Sequence, residues 1–447
     1  MQNGTLLAEL ASTVARSNVL PLGSPCNLNC YFCSNRYNPA GIRTRRLPFL
    51  KLTELEPLFD FLDPYRKIVI GESATRLCEG EPLLHPQCLQ VLQRLRSRFP
   101  QAQIQLTTNG LLLSGEMQRE LATLVPLELV ISFNSLVPHT RNRWLEDPRP
   151  ERTIRQFRCL GENGVPFQAS FLLAPPFLSE VPVSLKQAAA WGASLLRLLL
   201  PGGSALAPEE LQGSLAYWHE QSRRVQGWRK EVAVPMILEP PILDDLAADV
   251  DGVFPGSPAA LAGFCPGDRI TLIDGEIPFS RVDAFAALER AVNPLCRVER
   301  QNDVLWLQLE KERGTKSGVV VSRDISRREL EDTFRFTPSS GRGLILTSEL
   351  AAPILTTALG AGFHDLSVSI AANQTFGGSI RVAGLLCVQD ILKACQKLRY
   401  AGTAWDWLLL PAAPFDVGRD LCGQPIESLA VECGSPVYFS GSGSVRQ

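Results

Sequence analysis

The stretch Pro25-Cys26-Asn27-Leu28-Asn29-Cys30-Tyr31-Phe32-Cys33 places three cysteines in the spacing C-x3-C-x2-C. Cysteine thiolates are the usual ligands of iron–sulfur clusters, so three of them this close along the chain can hold three irons of a [4Fe–4S] cluster. The next cysteine in the sequence is Cys78, which leaves the fourth iron without a nearby protein ligand and open to a small molecule. We therefore interpret Cys26, Cys30 and Cys33 as cluster ligands.

A structural zinc site and a disulfide are the alternatives for the same triplet. Structural zinc sites close with four ligands, often as two C-x2-C pairs, and this stretch has one such pair and no histidine at zinc-finger spacing. A disulfide needs an oxidising compartment. Residues 6–19 are instead typical of an amphipathic helix and lack the basic start and cleavage site of a secretory signal. The cluster is the favoured interpretation.

Length and composition are those of an ordinary globular protein. The chain has 447 residues, which suggests two to four domains. Its formal net charge of −2 predicts no bulk attraction to nucleic acid or to a membrane surface. It has no apolar run long enough to span a membrane. Twelve cysteines, mostly scattered, indicate a reducing compartment, so we expect a cytoplasmic protein.

Short apolar runs alternate with amphipathic segments over about residues 15–230. Strands interleaved with helices of about ten residues predict parallel βα units, here six of them. In parallel βα barrels the chemistry lies at the carboxyl ends of the strands, and the cysteine triplet directly follows the first run. The predicted strands are residues 19–22, 68–70, 104–106, 129–132, 171–173 and 195–200, and the predicted helices are residues 53–62, 87–99, 116–124, 151–163 and 183–191.

The cysteine spacing, with Phe32 directly before the third cysteine, resembles that of the radical SAM (S-adenosylmethionine) superfamily. The resemblance implies a partial (β/α)6 barrel, and a [4Fe–4S] cluster and SAM as cofactors. It implies reductive cleavage of SAM to a 5′-deoxyadenosyl radical that abstracts hydrogen from a substrate. It also implies a flavodoxin- or ferredoxin-like electron donor, and a position for Phe32 near the adenine of SAM.

Residues 78–86 follow the second predicted strand, and their Cys-Glu-Gly-Glu-Pro start resembles the superfamily's GGEP motif. The resemblance implies that Gly80 and Glu81 bind the amino group of SAM. A carboxylate at Glu81 would accept charge-assisted hydrogen bonds from an ammonium, and Gly80 would let the backbone approach the ligand closely. Glu79 departs from the motif, where glycine is usual. The structural alternative is a strand-to-helix turn in which Glu81 starts a helix.

Polar residues follow the third and fourth predicted strands. Asn109 lies in a Thr-Thr-Asn-Gly turn that looks like the superfamily's TxNG motif, although Asn-Gly is also a common turn dipeptide. The superfamily often places a polar side chain after the fourth strand against the ribose or carboxylate of SAM, which points to Ser132 and Asn134. Arg141, Arg143 and Arg197 could reach a carboxylate, but solvated surface charge is the favoured interpretation for the first two.

The barrel pattern ends near residue 235, and we predict three domains: a barrel over residues 1–235, a PDZ-like β-rich domain over 236–315 and a C-terminal α/β domain over 316–447. Residues 250–275 carry ordered turn signals that resemble the PDZ domains of bacterial proteases. Such domains bind extended peptides at a sheet edge, so this module is a candidate site for a peptide or protein partner. The acidic residues 239–245 argue against capture of a free C-terminus, and an interdomain role stays equally open.

Residues 316–447 resemble the C-terminal domain of unknown function found in PDZ-bearing radical SAM proteins. The matching positions are Asn373, Phe376, Gly377, Val382, Gly384, Leu385, Leu386, Asp390 and Ile391. Residues 373–386 are predicted to be strand-like and residues 388–398 helical. The nine cysteines outside the triplet form no tight C-x2-C cluster, which favours buried thiols and leaves an auxiliary iron–sulfur cluster as an open alternative.

The predicted function is therefore that of a radical SAM enzyme acting on an unidentified substrate, either a small molecule in biosynthesis or a peptide. The alternative is a non-catalytic iron–sulfur or SAM-binding scaffold that uses its PDZ-like domain to bind a partner. Glu79 in the GGEP position is the observation that favours this alternative.

Overall fold

The computed structural model describes residues 2–74, 76–360, 365–415 and 418–440. It divides into two compact units, the first made of residues 1–36 and 44–199 and the second of residues 37–43 and 200–447. Within the described ranges, no helix is both long and apolar enough to cross a membrane.

The first unit is built on parallel strands interleaved with helices. Its strands are β1 (Arg45–Arg46), β2 (Ile68–Ile70), β3 (Leu77–Cys78), β4 (Ile104–Thr108), β5 (Leu127–Ser132), β6 (Phe167–Leu172) and β7 (Leu195–Leu199). Its helices are α1 (Gln2–Ser17), α2 (Leu52–Leu55), α3 (Cys88–Arg98), α4 (Gly115–Ala122), α5 (Pro138–Leu145), α6 (Pro150–Arg158) and α7 (Val181–Ala190).

Strands β2, β4, β5, β6 and β7 pair in parallel and in chain order, which confirms the predicted parallel βα units. Residues 19–22, predicted as the first strand, form only one parallel bridge, between Val19 and Val69. That prediction of a strand is wrong, and Pro21 supplies a reason because it has no N–H with which to continue a ladder. Leu20 still donates its N–H to the carbonyl of Val69 at 2.9 Å, so the chain runs beside β2 up to the cysteine loop.

The sheet is buried because helices cover it. Residues Ile104, Gln105 and Leu106 of β4 are all buried in succession, as expected for a strand covered on both faces. Helix α3 buries Cys88, Val91, Leu92 and Leu95, spaced three or four residues apart, so one stripe of the helix faces the core. The sequence predicted α3 but missed α5. The mixed polar composition of α5 gives no strong apolar stripe.

The second unit contains an antiparallel sheet followed by a parallel one. Its strands are β8 (Met236–Glu239), β9 (Ala248–Asp249), β10 (Gly252–Val253), β11 (Arg269–Ile273), β12 (Leu295–Arg300), β13 (Asp303–Gln308), β14 (Val319–Val320), β15 (Gly343–Thr347), β16 (Leu366–Ile370), β17 (Trp407–Pro411) and β18 (Val437–Ser440). Its helices are α8 (Leu215–Glu231), α9 (Pro258–Leu261), α10 (Arg281–Arg290), α11 (Arg327–Phe334), α12 (Ala351–Leu359), α13 (Val388–Tyr400) and α14 (Glu427–Cys433).

The antiparallel sheet has the order β13-β12-β11-β9, and the C-terminal parallel sheet has the order β16-β15-β17-β18. Helix α13 confirms the predicted helix near residues 388–398. The strand predicted over residues 373–386 is absent, and this described stretch forms turns and a short 3-10 helix over Ala383–Leu385 instead. Gly377 and Gly378 both have positive φ values, 63° and 59°, which breaks an extended conformation there.

Candidate functional site

The three cysteines of the triplet lie on an irregular loop that leaves the sheet after Val19. Cys26 is exposed, and Cys30 and Cys33 are partly exposed. A tight turn brings the last two together, because Cys33 donates its N–H to the carbonyl of Cys30 at 3.1 Å. All three thiols are free. Accessible thiols on a loop are placed to bind a ligand, whereas a structural cysteine is usually buried.

The thiols also share an electrostatic environment. Burial, together with negative charge on Cys33 and Cys26, raises the pKa of Cys30 to about 12. Burial raises the pKa of Cys26 as well, with the charges of Glu81 and Cys33 acting in the same direction. Three thiolates gathered this way repel one another unless cations compensate them. Three thiolate donors can hold three irons of a [4Fe–4S] cluster, so the residues present fit that group.

Glu81 connects the second βα loop with the end of β4. One of its carboxylate oxygens accepts hydrogen bonds from the Thr108 hydroxyl at 2.6 Å and the Leu83 N–H at 3.1 Å, and the other accepts from the Asn109 N–H at 2.8 Å. Burial raises the pKa of Glu81, and these three donors oppose that shift. The bond to Leu83 is the helix-start role that the sequence left open as the structural alternative.

Gly80 packs against the cysteine loop. A Cβ atom at Gly80 would lie 2.0 Å from the carbonyl oxygen of Pro25 and 2.4 Å from that of Ser24. The N–H of Gly80 donates to Gly23, and the N–H of Glu81 donates to Pro25, both at 2.9 Å. The close backbone approach of Gly80 in this structure is to the loop that carries the cysteines, and its expected approach to SAM stays a prediction.

Asn109 reaches the same loop from the end of β4. Its side-chain amide donates to the Asn27 side chain at 2.7 Å and lies 3.9 Å from the sulfur of Cys26. The next residue, Gly110, has a φ of +80°, and a Cβ atom there would lie 2.3 Å from the ring of Phe157. Core packing therefore explains the glycine of this turn. The asparagine links the turn to the cluster loop, a contact that the turn motif alone did not predict.

Ser132, Asn134 and Phe32 lie around the same edge of the sheet. Ser132 ends β5 in register with Ser170 and is partly exposed. Asn134 is buried, and its side-chain oxygen accepts a hydrogen bond from the Leu172 N–H at 3.2 Å, which ties β5 to β6. The ring of Phe32 packs edge-on against Phe177, with ring centroids 5.5 Å apart.

Glu79, the departure from the GGEP motif, bonds to the chain just before the cysteines. Its side chain accepts hydrogen bonds from the N–H groups of Leu22 at 2.9 Å and Gly23 at 3.4 Å. Its second carboxylate oxygen is buried without a hydrogen-bond partner among the described residues. Burial raises the pKa of Glu79 to about 8, against the effect of these two hydrogen bonds. A protonated carboxyl satisfies this environment better than a carboxylate.

Arg141 corrects the interpretation of a solvated surface charge, because its side chain is fully buried. It forms an ion pair with Asp147 at 2.8 Å and donates to the carbonyl of Phe133 at 2.8 Å. Burial lowers the pKa of Arg141, and the charges of Asp147 and Cys30 act in the opposite direction. The sequence missed this residue because its burial depends on partners that lie in separate elements.

The helix that carries Arg141 also holds the middle of the cysteine loop. The Asn29 side chain donates to Glu146 at 2.8 Å, and the Tyr31 N–H donates to the Trp144 carbonyl at 2.8 Å. The rings of Tyr31 and Trp144 meet edge-on with centroids 5.0 Å apart. Both neighbours of Cys30 are thus anchored to residues 144–146.

Part of the first unit is similar to a known protein family. Residues 20–181 match the family model of the radical SAM superfamily. GTP 3′,8-cyclase from Aquifex aeolicus (strain VF5) is 30% identical over 124 residues, which are 28% of this chain and 37% of the cyclase. The matched part therefore spans well under half of that relative.

Two solved structures are similar to about half of the chain. SuiB of Streptococcus suis bound to S-adenosylmethionine has a TM-score of 0.40 at 15% identity and covers 49% of each chain. The protein anSMEcpe with bound AdoMet has a TM-score of 0.33 at 16% identity and covers 46% of this chain and 60% of its own. The matched family implies a [4Fe–4S] cluster and SAM, and its segment contains all three cysteines of the triplet.

Proposed function

We propose that this protein is a radical SAM enzyme that binds a [4Fe–4S] cluster through Cys26, Cys30 and Cys33. When bound, the reduced cluster supplies the electron that splits SAM into methionine and a 5′-deoxyadenosyl radical, which takes hydrogen from the substrate. The observation that carries the proposal is the triplet of exposed or partly exposed, electrostatically interacting thiols on the loop that follows Val19, inside the stretch that matches the family. The cofactors supply the radical chemistry, and the protein binds and orients the cofactors and the substrate.

The residues around the triplet have defined supporting roles in this proposal. Asn109 and Gly80 hold the Cys26 side of the loop, and residues 144–146 hold the Cys30 side. These contacts hold the loop that carries the three sulfurs in place before a metal binds. A preorganised ligand set would lose less conformational entropy when it binds the cluster.

The proposed SAM contacts are Phe32, Gly80, Glu81, Asn109, Ser132 and Asn134. Glu81 carries the most specific role, because a carboxylate has about four acceptor positions and the described residues occupy three of them. The remaining position can accept from the ammonium of SAM. Ser132 is partly exposed at the strand end and can contact the ribose, whereas the oxygen of Asn134 is already bonded to Leu172.

The remaining domains support a proposal about the substrate. Residues 236–315 are proposed to be a PDZ-like domain and residues 316–447 a C-terminal α/β domain, with 1–235 as the radical SAM barrel. A PDZ-like module favours a peptide or protein partner, and a small molecule is the alternative. The electron donor is proposed to be a flavodoxin- or ferredoxin-like protein, in the cytoplasm.

The scaffold alternative rests on Glu79. Its side chain bonds to the backbone of Leu22 and Gly23, so the larger residue is accommodated by the turn that precedes the cysteines. The departure from glycine therefore gives no steric argument against SAM binding. A radical SAM enzyme cleaves SAM, whereas a scaffold only binds it. A measurement of SAM cleavage therefore decides between the two functions.

Cluster assembly is tested by anaerobic reconstitution followed by iron and sulfide analysis and EPR of the dithionite-reduced protein. We expect about four irons per chain and an EPR signal that changes on addition of SAM. A Cys26/Cys30/Cys33→Ala variant should lose both, whereas Cys265→Ala, which removes an exposed cysteine elsewhere, should lose neither. A full cluster in the triple variant would contradict the proposed ligands.

A further inference from the structure

Two cysteines that lie far apart in the sequence meet an aspartate in the second unit. Cys387 directly precedes helix α13, and Asp420 and Cys422 lie on the loop before α14. The two sulfurs are 3.9 Å apart, and one ligand atom from each of the three residues lies within 4.8 Å of the others. Cys387 and Asp420 are fully buried, and Cys422 is partly exposed.

We propose that Cys387, Asp420 and Cys422 form a binding site for a single Zn²⁺ ion with one coordination position left open. Two sulfurs bound to a tetrahedral zinc at about 2.3 Å each stand about 3.8 Å apart. The observed distance of 3.9 Å between the sulfurs of Cys387 and Cys422 matches this value. A disulfide would need the sulfurs at about 2.05 Å. The site offers only two thiolates, one fewer than the cysteine triplet, and iron–sulfur clusters are held mainly by thiolates, so the geometry favours a mononuclear site over an auxiliary cluster.

The charges around the site are balanced by a divalent cation. Two thiolates and a carboxylate carry three negative charges, which are unfavourable together where Cys387 and Asp420 are buried. Arg43, which also belongs to the second unit, interacts electrostatically with Cys422 and donates its N–H to Leu421 at 2.7 Å. Zn²⁺ and the guanidinium of Arg43 together offset the charges of the three ligands, and Asp390, whose charge also acts on both cysteines, leaves the surroundings negative and favourable for a cation. The amino end of helix α13 adds further stabilisation for the thiolate of Cys387.

The ligands are held in place by hydrogen bonds, as in known metal sites. The carboxylate of Asp420 accepts from the N–H groups of Val388 at 2.9 Å and Gln424 at 2.7 Å. These bonds orient the carboxylate beside the two sulfurs. The backbone N–H of Cys387 is fixed by Asp390 at 2.9 Å. Apolar side chains surround the group, including Phe376 and Leu421, which limits solvent access.

Zinc suits this donor set better than the hard cations do. Thiolate ligands select zinc or copper(I) over magnesium or calcium, which prefer oxygen. Three protein ligands with an open fourth position are typical of zinc that binds water or a substrate group, whereas structural zinc normally has four protein ligands. The proposed ligand class at the open position is therefore a Lewis base such as water or a thiol.

The test is zinc analysis of the purified full-length chain, made in the background of Cys26/Cys30/Cys33→Ala so that iron at the other site does not contribute. We expect about one zinc per chain in this background. We also expect Co²⁺ substitution to give the visible d–d bands and the near-ultraviolet thiolate charge-transfer band of a tetrahedral site. Because the readout needs no radical chemistry, its failure is separate from failure of the proposed function.

Cys387→Ser and Cys422→Ser are the test variants, and Cys265→Ala is the control. Serine at 387 retains a side-chain oxygen for the start of α13, so loss of metal can be separated from loss of the helix cap by circular dichroism. Each serine variant should weaken zinc affinity by at least about 100-fold, and the control should leave it unchanged. Absence of zinc, retention of zinc in both serine variants, or a Cys387–Cys422 disulfide found by mass spectrometry would each overturn the proposal.

Discussion

The guanidinium of Arg141 and the carboxylate of Asp147 form an ion pair at 2.8 Å in which neither side chain has any exposed surface. One further nitrogen of Arg141 donates to the carbonyls of Phe133 and Ser135 at the end of β5. The same helix anchors the residues on both sides of Cys30 through Trp144 and Glu146. The pair therefore joins the sheet to the helix that supports the cysteine loop.

Replacement of Arg141 with Gln should strongly destabilise the protein. The substitution leaves Asp147 buried without its counter-ion, which typically costs about 3–5 kcal/mol. The free energy of unfolding, measured by urea denaturation, gives the magnitude. Arg143→Gln on the same helix is the matched control, because Arg143 is exposed and its loss should cost less than about 1 kcal/mol. Equal losses in the two variants would show that the buried pair has no special structural role.

Replacement of Glu79 with Gln should remove a pH dependence of stability. The pKa of Glu79 is raised from 4.5 to about 8 by burial. Its stabilising contribution is therefore fully present below about pH 4.5 and is lost as the pH rises through about 8, by at most about 5 kcal/mol. Urea denaturation between pH 5 and pH 9 checks this. Glu79→Gln should flatten the profile, and the exposed Glu120→Gln control should not. A wild-type profile that rises over this range would contradict the assignment.

Replacement of Glu81 with Gln should weaken SAM binding. The amide keeps an oxygen acceptor but lacks the negative charge that an ammonium pairs with, so we expect affinity for SAM to fall about 10-fold or more. Equilibrium dialysis of the reconstituted protein with labelled SAM measures it. Ser114→Ala, which removes the cap of helix α4, is the control for a purely structural effect. Unchanged SAM affinity in Glu81→Gln would leave Glu81 with its helix-start role alone.

Replacement of Gly80 with Ala should displace the cysteine loop. The added methyl group would lie 2.0 Å from the carbonyl oxygen of Pro25, so the loop must move, at a cost of about 3 kcal/mol. Iron incorporation during reconstitution should fall with it. Gly227→Ala in helix α8 is the control, because a Cβ atom there meets no atom within 4 Å. Normal iron content in Gly80→Ala would show that the contact does not position the cysteines.

Much of the first unit could be predicted because its signals are local. The spacing of Cys26, Cys30 and Cys33 and the alternation of apolar runs with amphipathic segments are both visible within short windows of sequence. The strand predicted over residues 373–386 does not form, because Gly377 and Gly378 adopt positive φ values. The pattern of apolar residues does not reveal such backbone conformations.

Contacts that depend on tertiary packing could not be predicted. The sequence pattern favours a surface charge at Arg141, although its partner carbonyls at Phe133 and Ser135 are only eight and six residues away, because the pattern does not show that the chain folds back on itself there. Cys387 and Cys422 are 35 residues apart, so no spacing motif connects them. The role of Arg141 depends on its burial, and the role of Cys387 and Cys422 depends on the distance between their sulfurs. Tertiary packing determines both.

The most direct test of the account is the release of 5′-deoxyadenosine by the anaerobically reconstituted protein, given SAM and dithionite and followed by chromatography over hours. The account predicts 5′-deoxyadenosine above background for the wild-type chain and for Cys265→Ala, and none for Cys26/Cys30/Cys33→Ala. A wild-type protein that holds its cluster and binds SAM but releases no 5′-deoxyadenosine would contradict the enzyme and favour the scaffold.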